Sequence, residues 1–179
     1  MSFPPSTAQK RSAKAPSLLG DLGPRVVSAF AMIALALAAL FQGGFVFVAF
    51  WTVASVAVHW EWQRMTGGPH DRLRIYGGGL ALALSGGLMA LGQRDAALLV
   101  VCVTALAVLA FVRGPSRFWN AGGILYAGAL LLSVIVLRLS ILSGFEAILW
   151  LFAIVWGSDI FAYFGGRLIG GPKLWPRVS

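Results

Sequence analysis

Apolar positions in this chain neither alternate nor form a narrow helical stripe. They come in six nearly continuous runs, at roughly 24–41, 45–62, 75–91, 96–112, 118–137 and 145–164. Each approaches the about 17–25 residues that carry a helix across a hydrocarbon layer. Backbone groups in lipid must be satisfied within their own segment, so each run predicts a helix. A transmembrane barrel would instead show segments of about 10 residues with alternating polarity. Glycine and proline punctuate the connections at Gly43–Gly44, Gly67–Gly68–Pro69, Gly114–Pro115 and Gly144. The pattern predicts an all-α polytopic membrane protein with about six transmembrane helices.

Composition supports this picture and removes its rivals. Of 179 residues, 59% are hydrophobic and 11% charged, and the mean hydropathy is +0.84. A soluble domain, at about 45–50% apolar and about 25% charged, could not hide that excess. Disorder is excluded on the same ground. Three regions follow: a disordered basic cytoplasmic arm over 1–20, a transmembrane bundle over 21–164, and a basic, glycine-rich cytoplasmic loop over 165–179. The arm holds Lys10, Arg11 and Lys14 among prolines. A signal peptide competes for the first apolar run. The long leader and the immediate turn into another apolar run favour a spanning helix.

Charge then orients the helices. The chain has 14 Lys and Arg against 6 Asp and Glu, a net charge of +8. In a soluble protein such a balance would suggest nucleic acid; in a membrane protein it points to basic loops on the cytoplasmic side, anionic lipids and nucleotides, with no nucleic-acid partner. With a cytoplasmic N-terminus, twelve basic residues fall inside and two, Arg94 and Arg138, outside. Both termini are therefore expected in the cytoplasm, with the chain multi-pass in the cell's inner (plasma) membrane. The single cysteine, Cys102, and two histidines, His59 and His70, exclude a disulfide framework and a Cys/His metal cluster. Gly79, Ala83 and Gly87 recur every four residues, which suits close helix packing within the bundle and, as the weaker alternative, a homodimer seam.

Ionisable groups inside membrane segments merit a functional reading. Asp159 follows Gly157–Ser158 near the end of the sixth run, at an expected depth of about 6–9 Å below the cytoplasmic edge. Tyr163 shares its helical face at i+4, and Arg167 does so at i+8 if the helix continues. The alternative is that Asp159 pairs with an arginine of a neighbouring helix. Past this point come four glycines and three cations, a loop able to bring backbone amides and charges to a phosphate. It is not a Walker A loop: Pro172 precedes Lys173, no Ser or Thr follows, and no strand leads in. Glu61 reads as an interfacial partner of Arg64, Glu146 as a helix-dipole residue, and Arg138 as an outside cation or one that snorkels.

The stretch Ser158-Asp159-Ile160-Phe161-Ala162-Tyr163-Phe164-Gly165-Gly166-Arg167, then Gly170, Lys173-Leu174 and Pro176-Arg177-Val178-Ser179, resembles the central motif of the phosphatidate cytidylyltransferase (CDP-diacylglycerol synthase) family. There S-D-x-x-A-Y-x-x-G-R leads into G-x-x-K-L-x-P-x-[IV]-S. Arg25-Val26-Val27-Ser28-Ala29 and Trp60-Glu61-Trp62 also match the family's opening helices. Trp175 departs from the usual small residue. The family pattern continues into P-x-K-T and a C-terminal S-x-x-K-R-x-x-x-x-K-D signature that this sequence lacks, which implies a truncated form and an incomplete catalytic region.

The resemblance implies CMP transfer from CTP to phosphatidic acid, giving CDP-diacylglycerol and pyrophosphate. It assigns Asp159, Lys173 and Ser179 as catalytic, with Asp159 also a metal ligand. Arg167, Arg177 and Tyr163 would bind substrate phosphate. The implied cofactor is Mg²⁺, alone or with a monovalent cation; the implied partners are CTP, phosphatidic acid and membrane lipids. The competing readings are an inactive membrane scaffold or degenerate paralogue of the family, and, more weakly, a small transporter.

Overall fold

The structure, a computed structural model, describes residues 22–66, 72–114 and 116–169. The proposed arm over 1–20 lies outside the described residues, as do Lys173, Arg177 and Ser179. Six helices account for nearly everything described: α1 (Leu22–Gln42), α2 (Gly44–Thr66), α3 (Arg72–Ala90), α4 (Arg94–Phe111), α5 (Ser116–Arg138) and α6 (Gly144–Ile169). Among the described residues there is no strand. Each predicted run lies largely within a helix. Several helices outlast their apolar runs, α6 most usefully, running through Gly165–Gly166 to Ile169.

Among the described residues four helices are long and apolar enough to cross a membrane: Gly44–Thr66, Arg94–Phe111, Ser116–Arg138 and Gly144–Gly166. Val26–Gln42 is a shorter apolar helix. α3 is not among the four; its 19 residues include five glycines and two arginines, which dilute its apolar content.

The described residues divide into two units, one ending at Ala38 and one beginning at Ala39. The first consists of most of α1. The second holds the rest of the described chain. The turn between α1 and α2 needs glycine: Gly43 and Gly44 have φ of 65° and 50°, and the Arg138 guanidinium lies against Gly43. A side chain there would strain the backbone.

α5 is the central helix, touching α2, α3, α4 and α6. Its buried face runs from Asn120 through Ile124, Ala127 and Leu131 to Ile135. Close approach depends on glycines that face bulky side chains: Gly123 meets the Trp62 ring, Gly128 meets Val101, Gly78 meets His59 and Gly86 meets Thr52. This is the small-residue packing of membrane helices. On α3 it differs from the spacing seen in sequence. The packed face is Gly78, Leu82, Ser85, Gly86 and Met89. Of the Gly79–Ala83–Gly87 stripe, Ala83 and Gly87 are exposed, and a side chain at Gly87 would meet open space. Both stripes repeat every four residues, so helical period alone does not choose between them.

Candidate active site

The Ser158–Arg167 motif occupies the last part of α6. α6 packs against α5, and through its middle against α2, where Phe152 lies 6.3 Å from the Trp51 ring and 4.7 Å from Trp156. Ser158, Asp159 and every residue to Phe164 are exposed, with Phe161 at 79% and Tyr163 at 53%. Ser158 donates its hydroxyl to the Val155 carbonyl at 2.8 Å, a bond within its own helix.

The helix continues unbroken to Ile169. Asp159, Tyr163 and Arg167 are therefore spaced at i, i+4 and i+8 on one helical face, the condition the sequence had left open. Among the described residues no arginine pairs with Asp159, so the alternative of an interhelical ion pair gains no partner here. Asp159 lies seven residues before Gly166, where the apolar span ends, which is about 10 Å along the axis. The expected 6–9 Å assumed an earlier end to the helix.

The other sequence candidates separate from this face. Glu61 is exposed beside Trp60, and the Arg64 guanidinium lies 4.7 Å from the Trp60 ring centroid. Glu146 stands in the first turn of α6, where a negative charge offsets the dipole. Arg138, at the end of α5, reaches the Leu40 carbonyl at 3.4 Å and lies over the Phe145 ring at 5.6 Å. Among the described residues no three His, Cys, Asp or Glu side chains converge. Asp159 contributes one carboxylate, and the described residues do not fit a complete Mg²⁺ site.

A second polar group is drawn together by no motif. Ser55, His59 and Gln63 lie four residues apart on α2 and are all buried, as is Asn120 on α5. Ser55 donates to the Ala127 carbonyl at 2.7 Å, and the Gln63 amide reaches the Asn120 carbonyl at 3.4 Å. Nearby, Trp62 Nε1 donates to the Trp119 carbonyl at 2.8 Å. The imidazole of His59 and the side-chain amide of Asn120 have no hydrogen bond of normal geometry. The sequence signal for this seam is the four-residue spacing inside an apolar run.

Residues 23–179 match the Cytidylyltransferase family. The chain belongs to that family. A phosphatidate cytidylyltransferase of Brucella abortus is 33% identical over 162 residues, 90% of this chain and 60% of the relative. One from Brucella suis matches equally. One from Pseudomonas aeruginosa is 29% identical over 171 residues, 88% of this chain and 62% of the relative. The chain thus spans about 60% of the length of these relatives. No solved structure matches it.

Proposed function

We propose that this chain serves phosphatidate cytidylyltransferase activity. A phosphate oxygen of phosphatidic acid attacks the α-phosphorus of CTP. The new P–O bond forms as the bond to the β-phosphate breaks, so CDP-diacylglycerol is made and pyrophosphate leaves. The observation that carries this reading is the match over residues 23–179 combined with the motif itself, set on an exposed helix face. Such transfers depend on positioning and on neutralising phosphate charge.

In this reading Arg167, Lys173 and Arg177 neutralise phosphate, Tyr163 and Ser179 contact substrate, and Asp159 orients the reacting groups from the helix. Mg²⁺ is the expected ion. The inner membrane is the expected location, with both termini cytoplasmic, so that CTP meets the basic side and the diacylglycerol tails stay in lipid.

The test supplies the part of the relatives that this chain does not span. The 179-residue chain, joined to the remainder of the Brucella abortus relative, is assayed with CTP, phosphatidic acid and Mg²⁺. Formation of CDP-diacylglycerol with one pyrophosphate per turnover is expected, against no useful rate from the 179 residues alone. A folded but inactive chimera would favour the scaffold reading instead.

A further inference from the structure

The exposed stripe of α3 does not lie on a flat surface. Together with α2 it walls an apolar cavity of about 760 Å³, lined by Val53, Ala57 and Trp60 on one side and Ile75, Leu80 and Ala83 on the other. A second cavity of about 270 Å³ shares Val53 and Ala83 and continues to Gly87 and Ala90. The larger one extends along α3 from Ile75 to Ala83, about 12 Å at 1.5 Å per residue, close to half of a hydrocarbon layer about 30 Å thick. One leaflet's acyl chain has that reach.

The end of this groove is different in kind from its floor. Trp60 and Tyr76 form its rim, and both are amphipathic aromatics suited to the headgroup level. Arg64 follows one turn after Trp60, and its guanidinium lies over that ring at 4.7 Å. Arg72 opens α3 four residues before Tyr76. An apolar trough closed at one end by aromatics and a cation matches an amphiphile with an anionic head. A second copy of α3 would cover the small residues but bring arginines rather than a negative charge to Arg64.

The groove is also remote from the motif. Trp51, which meets Phe152 of α6, and the groove residues Val53, Ala57 and Trp60 lie on opposite sides of α2 at 3.6 residues per turn. We propose that the α2–α3 groove holds a resident anionic phospholipid of the leaflet facing Arg64, with its tail on Ala83 and its phosphate at Arg64. The site is separate from the proposed substrate site on α6 and does not rest on that reading.

Native mass spectrometry of the 179-residue chain, released from detergent with phosphatidylglycerol or phosphatidylcholine added, tests the assignment. The chain should retain one phosphatidylglycerol in preference to phosphatidylcholine. Ala83→Phe fills the shared floor and should abolish retention. Gly87→Leu, placed where a side chain meets open space, should weaken retention without risk to folding. Arg64→Gln should keep a bound lipid but lose about fivefold of the preference, the weight of one basic residue near anionic headgroups. Equal retention of the two lipids by the unmodified chain overturns the proposal. So does unchanged retention in both groove-filling variants. A lipid-free dimer that Ala83→Phe turns into monomer would make the groove a seam between copies.

Discussion

The block formed by α2 to α5 and the last three turns of α6 share a composition but not a situation. In the block, small and polar residues point inward: Ser55, His59, Gln63, Ser85 and Asn120 are buried while Leu80, Leu99 and Phe111 face outward. In lipid this costs little, because hydrocarbon is as good a neighbour for leucine as another helix is. Helix contact there depends on close backbone approach and hydrogen bonds. At the end of α6 no such close approach is seen at the glycines. Its polar residues lie on an exposed face, and its glycines, Gly157, Gly165 and Gly166, face open space rather than a neighbouring ring. Similar residue types therefore sit in different situations: in the block they hold helices together, and on α6 they lie on an exposed face.

This contrast can be broken most sharply at Asp159. In the chimera carrying the relatives' remaining part, Asp159→Asn should lower turnover by about 10²–10³-fold, as expected when a group that stabilises transition-state charge is lost. Its melting temperature in detergent should stay unchanged, since the side chain is exposed and unpaired among the described residues. A drop in stability with normal turnover per folded molecule would place Asp159 with the packing residues instead.

The converse is expected within the block. Gly123→Ala pushes a methyl group into the Trp62 ring, and Gly78→Ala pushes one into His59. Each should destabilise by about 1–3 kcal/mol, the usual cost of overpacking. Gly165→Ala on α6, with nothing near it, should not. Thermal unfolding of the three variants side by side checks the difference. Equal sensitivity at all three sites would mean that the end of α6 is packed after all.

The smallest effect concerns the polar seam. Ser55→Ala removes the 2.7 Å bond to the Ala127 carbonyl and should cost about 0.6 kcal/mol, typical of hydrogen bonds between membrane helices. Ser158→Ala removes only a bond within its own helix, at 2.8 Å, and should leave stability unaltered. Chemical denaturation in mixed micelles resolves the two if the Ser55 variant alone shifts its midpoint.

Much of this was legible in the sequence. Helix number and position follow from the length of the apolar runs, because a bilayer fixes the span and forbids unpaired backbone. The motif from Ser158 to Arg167 is local, so its placement on one helical face follows from period alone once α6 is known to continue. The connections at Gly43–Gly44 and Gly114 were legible too, since glycine there takes a positive φ. What sequence could not decide was which of two equally spaced faces a helix buries. On α3 the choice of Gly78–Leu82–Gly86 over Gly79–Ala83–Gly87 depends on what α2 presents opposite, namely His59 and Thr52. Likewise, the spacing of Ser55, His59 and Gln63 marks a shared face on α2 but not that this face is buried against Asn120 of α5. A periodic pattern fixes spacing within one helix but not its rotation about its own axis. That rotation is set by the partner helices, and only the tertiary structure supplies them.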